Sequence, residues 1–342
     1  LKINRNLIII FILFIWIFLV GNVEFVEAQD ANMPITVEPK YPDNHNNETV
    51  GYFDLNVNPG DQQSIEIIIT NKEDKEIKVN LASAYAFTNP TGGIMYKELI
   101  DSSETILLDN GIHIKENIQV EESVTIPPQS SVTVPIEFSV PQSNGETLLG
   151  GVLISTQGNT IQQQQEVEEG TANFTVNTEM VIAMAIKLNL PNSVDSNFQL
   201  GEAGFNGELA QVYLEMINDA QKIQEEVSGS YSITNQEGQE LFNGEFGSFK
   251  MAPKTKIRYP IQWGYETLEE GNYTLNIQSE SLNLNEIKEF SIKDEDVVQF
   301  VEQSQTNVTV AKEEGGMPSW VWIAAVVLVG LLMFILGRRK VA

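Results

Sequence analysis

The feature that most constrains this chain is a period-two alternation of apolar and polar residues, repeated in short runs. Tyr52 to Val57 reads YFDLNV, Ser64 to Thr70 SIEIIIT, Ile77 to Ala82 IKVNLA, Val132 to Ser139 VTVPIEFS and Gly151 to Ser155 GVLIS. Successive side chains of an extended backbone point to opposite faces, so each run describes a strand with one buried face. Turn formers separate the runs at Asn58-Pro59-Gly60-Asp61, Asn71-Lys72-Glu73-Asp74 and Asn89-Pro90-Thr91-Gly92-Gly93, spaced as in an antiparallel sandwich. Parallel βαβ units would need helical segments of about a dozen residues between strands. None is visible, and the pattern predicts an all-β chain.

A second set of runs follows the Gln-rich, acidic stretch GNTIQQQQEVEEG, residues 158–170, which reads as a linker or long exposed loop. The set comprises Met180 to Leu190, Leu209 to Ile217, Gly229 to Thr234, Leu241 to Phe246, Ile257 to Trp263 and Tyr273 to Ile277. Met180 to Leu190 (MVIAMAIKLNL) is apolar enough for a buried helix, but its β-branched content and the Pro191-Asn192-Ser193 stop predict a strand. Two tandem immunoglobulin-like β-sandwich domains are expected, over residues 32–157 and 171–293, followed by a polar stalk over 294–317.

The halves echo one another. IPPQSSVTVPIEF (Ile126 to Phe138) aligns without a gap on MAPKTKIRYPIQW (Met251 to Trp263), setting Pro128 on Pro253 and Pro135 on Pro260. Val132/Ile257, Val134/Tyr259, Ile136/Ile261 and Phe138/Trp263 then fall on one buried face. A proline donates no ladder hydrogen bond, so Pro135 and Pro260 predict an edge or a bulge. ITNKEDKEI (Ile69 to Ile77) likewise resembles MINDAQKI (Met216 to Ile223), with Asn71 on Asn218.

Both ends carry membrane signals. Lys2 and Arg5 precede an apolar core, Leu7 to Val20, and Val26-Glu27-Ala28 forms a small-residue exit, the pattern of a secretory signal peptide over residues 1–28 cleaved after Ala28. As a helix the core would rise only ~21 Å against about 30 Å of hydrocarbon, which disfavours a lasting span. Pro318 to Gly337 is uncharged and long enough for ~30 Å, and predicts a transmembrane helix. Trp320 and Trp322 suit the outer headgroup layer, while Arg338, Arg339 and Lys340 hold the 338–342 tail in the cytoplasm. The expectation is a single-pass protein of the cell membrane with its N-terminal ectodomain outside.

Composition narrows the chemistry. The net charge is −27, from 47 acidic and 20 basic side chains, with two His and no Cys. Disulfides, thiol nucleophiles and Cys-ligated metals are excluded, and an acidic surface disfavours nucleic acid as a partner. The pairs Glu121-Glu122, Glu168-Glu169, Glu225-Glu226 and Glu269-Glu270 lie in polar, turn-like stretches and read as solvated loops. Glycoside cleavage would need carboxylates about 5 to 9.5 Å apart across a cleft, which a linear sequence does not display. A serine triad would have to use His113 or His45, and His45 lies in DNHNNE, an exposed loop by composition.

Asp294-Glu295-Asp296 lacks the glycine and spaced acids of a calcium loop and reads as a charged cap after the last strand. The sequons at Asn47, Asn173, Asn272 and Asn307 matter only where a host glycosylates them. Tyr52, Tyr85, Tyr96, Tyr231 and Tyr265 lie near turns or strand starts, where packing accounts for most aromatics of a β fold. No catalytic, cofactor-binding or metal-binding residue is assigned.

Three stretches carry a family resemblance: GYFDLNVNPGDQQSIEIIITNKEDKEIKV (Gly51 to Val79), LLGGVLIST (Leu148 to Thr156) and TKIRYPIQWGYETLEEGNYTLNI (Thr255 to Ile277). Together with the order of leader, two β modules and basic-tailed apolar helix, they resemble the WxL-interacting proteins of Gram-positive bacteria. The resemblance implies a non-catalytic adhesion or scaffold protein. Its first module would bind peptidoglycan, and its second WxL-domain proteins or host extracellular matrix proteins. The alternatives from other classes are a wall-modifying hydrolase and a ligand-free structural spacer.

Overall fold

The computed structural model describes residues 33–156, 160–161, 176–177, 180–265 and 267–306. Apart from one short 3-10 turn and one helix, its regular elements are strands. They fall into two units: 1–198 with 218–225 and 250–256, and 199–217 with 226–249 and 257–342.

In the first unit, strands β1 (Ile35–Lys40), β2 (Phe53–Asn56), β3 (Gln62–Asn71), β4 (Ile77–Thr88) and β5 (Ile94–Lys97) lead to the short β6 (Thr105–Leu107). A 3-10 turn, Ile114–Asn117, precedes β7 (Ile118–Val120), β8 (Ser123–Ile126), β9 (Ser131–Ser139) and β10 (Thr147–Thr156). The two-residue strands β11 (Thr160–Ile161) and β12 (Val176–Asn177) pair with each other, and β13 (Met180–Asn189) follows. One sheet has the order β1-β3-β9-β7 and the other β2-β13-β10-β4-β5, with β8 also on β4.

Alternation does the packing. Ile65, Ile67 and Ile69 of β3 and Val134, Ile136 and Phe138 of β9 face Leu81 of β4, Val152 and Ile154 of β10 and Ile186 and Leu188 of β13 in one core. Each such fully buried aliphatic side chain contributes roughly 1.5–3 kcal/mol of transfer free energy.

Pro135 refines its expectation. β9 is an interior strand, yet β7 spans only Phe138 to Ile136 of it, so at Pro135 the ladder is open on one side. The missing donor leaves no gap in a ladder there.

One placement differs from its expectation. Met180 to Asn189 is a strand as predicted, but it belongs to the first sandwich. It pairs antiparallel with β10 along its length and parallel with β2 from Ile186 to Asn189. The first unit thus reaches past the expected 157 boundary, and the turns 218–225 and 250–256 also fall within it. In that unit Ile223 and Ala252 pack with Ala86 and Leu149.

The second unit holds all but the end residues of β14 (Phe198–Asn206), β15 (Gln211–Asn218), β16 (Gln224–Thr234), β17 (Glu240–Met251) and β18 (Thr255–Gln262), and the whole of β19 (Gly271–Ser279) and β20 (Leu284–Ile292). β14, β15 and β18 lie side by side, and the other sheet has the order β17-β16-β19-β20. Val212, Leu214, Ile257 and Ile261 from the first sheet and Val227, Ile233, Leu275 and Ile277 from the second are buried.

The expected stalk, residues 294–317, is described only as far as Thr306. Its first part is a helix, α1 (Asp294–Thr306). Asp294, Glu295 and Asp296 form its opening turn, where carboxylates meet the positive end of the helix dipole. Asp296 Oδ2 accepts the Lys293 N–H at 2.9 Å. Among the described residues no helix is long and apolar enough to cross a membrane. The expected leader with Ala28, the 318–337 span with Trp320 and Trp322, and Arg338, Arg339 and Lys340 lie outside the described residues.

Candidate binding site

β3, β9, β7 and the end of the 3-10 turn build an open groove of about 400 Å³, lined by Gln62, Gln63, Ser64, Asn117, Gln119, Glu137, Phe138 and Ser139. The alternation that sends Ile65, Ile136 and Ile118 inward sends their neighbours out. Register then does the rest. Ser64 lies opposite Glu137, which lies opposite Gln119, so three residues far apart in sequence form one row across three strands. Gln62 lies opposite Ser139, and Asn117 Nδ2 donates to Ser139 Oγ at 3.2 Å.

One margin is braced by a reciprocal amide pair. Asn44 Nδ2 donates to Gln63 Oε1 at 3.0 Å, and Gln63 Nε2 donates to Asn44 Oδ1 at 2.9 Å. Asn44 also donates to the Asn56 carbonyl at 2.9 Å. An amide side chain both donates and accepts, and a hydroxyl does the same, so the groove matches a ligand rich in amides and hydroxyls. Glu137 is the one carboxylate in its lining.

Behind Asn44 the loop 41–54 is held by a buried polar knot. His45 was expected in an exposed loop; it is 6 % exposed and stacks on Tyr41 with ring centroids 4.0 Å apart. Its Nδ1 accepts the Asp54 N–H at 3.2 Å, and Nε2 meets the Thr49 carbonyl at 2.9 Å. The Asp54 carboxylate, 2 % exposed, accepts from Asn189 Nδ2, Thr49 Oγ1 and Lys187 Nζ. Burial alone would raise its pKa. The Asn189 bond, the Lys187 charge and the Thr49 bond outweigh that and hold it below the usual carboxylate range.

The other candidate residues are scattered. Glu121 and Glu122 lie exposed between β7 and β8, and Glu269 and Glu270 just before β19. Glu225 and Glu226 lie inside β16, correcting their reading as loop residues, and Glu225 pairs with Lys250 at 2.6 Å. Glu168, Glu169, Asn173 and Asn307 are outside the described residues. His113 precedes the 3-10 turn and meets the Leu108 carbonyl at 3.4 Å; burial lowers its pKa, outweighing that bond. Asn272 accepts from Ser291 on β20. Tyr85 donates to Glu116, while Tyr231 lines a separate shallow hollow with Ser230, Ser232 and Asn276. Among the described residues no three His, Asp or Glu side chains cluster as metal ligands would.

Sequence comparison gives two matches. Residues 35–156 match the profile described as WxL Interacting Protein, peptidoglycan binding domain, and residues 171–303 match WxL Interacting Protein, host binding domain. No curated protein matches the chain by sequence.

Similar solved structures include the CsuC–CsuE chaperone–tip subunit complex of Csu pili from Acinetobacter baumannii, with 11% identity over 75% of this chain and 97% of that one, TM-score 0.33. The SafA pilin–SafB chaperone complex of Salmonella enterica shows 10% identity over 75% and 96%, TM-score 0.32. The class 5 fimbriae chaperone CfaA shows 9% over 74% and 99%, TM-score 0.30. Scores of this size give these likenesses no weight for function.

Proposed function

Because the chain belongs to the WxL-interacting protein family, its two domain profiles together matching most of the sequence, we propose that it is a non-catalytic binding protein of the bacterial surface. Residues 35–156 hold peptidoglycan in the groove of Ser64, Gln119 and Glu137. Residues 171–303 hold a protein, either a WxL-domain protein or a host matrix protein. The apolar segment 318–337 tethers both domains outside the cell, which raises their effective concentration at the wall so that weak contacts act together.

The observation that carries this reading is the groove's lining of amides and hydroxyls within the domain matched to peptidoglycan binding. N-acetyl groups, sugar hydroxyls and stem-peptide amides are the partners such side chains take. Glycoside cleavage draws on a pair of carboxylates, and Glu137 is alone in this lining, which favours holding over cutting.

Co-sedimentation of the full chain with purified peptidoglycan tests the reading. The chain is expected to pellet with the polymer and release no soluble fragments. A chain that stays in the supernatant, or that clears a peptidoglycan zymogram, overturns it.

A further inference from the structure

Within the second unit, Trp263 is ringed edge-on by three aromatic side chains. Its ring centroid lies 5.9 Å from Phe205, 5.2 Å from Phe242 and 5.4 Å from Tyr273, at interplanar angles of 79° to 87°. The indole N–H donates to the Thr267 carbonyl at 2.9 Å, and the backbone N–H of Trp263 donates to the Ala210 carbonyl at 3.1 Å. The first bond closes the segment after β18 on itself, and the second ties that segment to the turn between β14 and β15. Trp263 is left half-exposed, with Leu209 57 % and Tyr265 39 % exposed on the two segments it joins.

Edge-to-face rings and a satisfied indole N–H fix this cluster before any ligand arrives. Rigid aromatic anchors beside exposed apolar side chains are the composition of an interface centre, where binding energy concentrates. The surroundings are acidic. Glu208, Glu240, Glu269 and Glu270 are exposed on the segments that carry the cluster. Arg258, Lys288 and Lys293 are the only cations among the described residues of this unit, and each is ion-paired, to Glu215, Glu286 and Glu295 respectively.

We infer that this aromatic end, centred on Trp263 with Leu209 and Tyr265, is the docking surface for a protein that presents an apolar side chain between Lys or Arg residues. The apolar centre supplies affinity, and the acidic surround selects cationic flanks and speeds encounter. This rests on the reading that the second domain binds a protein, and it names where and by what chemistry.

The test uses the full chain and a labelled peptide, Lys-Lys-Leu-Phe-Leu-Lys-Lys, read by fluorescence anisotropy. Leu209→Ser/Tyr265→Ser removes exposed apolar surface, and Glu269→Lys/Glu270→Lys reverses part of the rim. Both changes lie at exposed positions and are expected to leave the urea midpoint unchanged. Each double variant is expected to weaken peptide binding by about tenfold or more, and binding should fall as salt rises. Equal binding by parent and variants, or no binding by the parent, overturns the inference.

A purified WxL-domain protein forms the second arm. If it binds parent and Leu209→Ser/Tyr265→Ser alike, this surface is wrong while the domain's protein-binding role stands. If it binds the parent and loses about tenfold with the variant, both stand.

Discussion

Asn71 and Asn218 occupy equivalent posts in the two halves of the chain, and both are fully buried. Asn71 Nδ2 donates to the Lys75 carbonyl at 2.8 Å and the Pro127 carbonyl at 3.0 Å, while its Oδ1 accepts the Glu73 N–H. Asn218 Nδ2 donates to the Lys222 carbonyl at 2.8 Å and the Ala252 carbonyl at 3.0 Å, while its Oδ1 accepts the Ala220 N–H. Pro127 and Ala252 are the residues that the internal alignment superposes. Two positions on, Gln129 and Lys254 share a positive φ of 50° and 54°. Their backbone N–H groups donate to the Glu73 and Ala220 carbonyls, each at 3.1 Å. The echo read from the sequence is therefore one hydrogen-bonded turn device used twice.

Replacing either asparagine should destabilise strongly, because buried carbonyls lose their donor. Asn71→Ala and Asn218→Ala are each expected to cost about 2 kcal/mol or more in urea denaturation. Asn→Asp at the same positions should cost more still, since it turns a carboxylate oxygen toward carbonyl oxygens. An aspartate variant as stable as the parent would show that the amide donor is not what holds the turn.

Asp54 predicts an acid response. Its folded pKa lies below the ordinary 3.8, so its contribution is complete above that value and is lost as the pH falls through the lower folded one. Asp54→Asn should be less stable than the parent at neutral pH by about 1–3 kcal/mol. The gap should narrow between about pH 5 and pH 2. Denaturation midpoints across that range check it, and a gap that does not change with pH counts against it.

Gly150 and Gly151 of β10 sit where a side chain has no room. A Cβ at Gly151 would lie 2.8 Å from the Met184 carbonyl oxygen, and one at Gly150 would lie 2.7 Å from Ile114 Cγ1. A carbonyl is backbone, whereas the Ile114 side chain can give. Both alanine variants should lose stability, by about 1–3 kcal/mol, with Gly151→Ala the worse. Thermal melts of the two variants decide the order.

Much of this was legible in the sequence because alternation is local. Ile65, Ile67 and Ile69 announce their strand and its buried face. What the sequence did not display was partnership at long range. Met180 to Asn189 reads as a strand, but only its pairing with Thr147 to Thr156 and with Phe53 to Asn56 assigns it to the first sandwich. DNHNNE reads as exposed, yet His45 is buried by a stack on Tyr41 and a bond from Asp54, neither adjacent in sequence. The groove hid for the same reason: Ser64 and Glu137 fall at outward positions of their runs, Gln119 lies in a strand too short to stand out, and only register makes the three neighbours. The helix after β20 did have a signal, an acidic first turn followed by Val297, Val298 and Phe300.

The central claim is that peptidoglycan binds across Ser64, Glu137 and Gln119. A sedimentation isotherm of the full chain against purified peptidoglycan, with Ser64→Tyr/Gln119→Tyr as the variant, tests it most directly. These exposed strand positions accept tyrosine without disturbing the core, so the urea midpoint should hold while the groove fills. The account predicts an apparent affinity lower by about tenfold or more. An isotherm that overlays the parent's would contradict it.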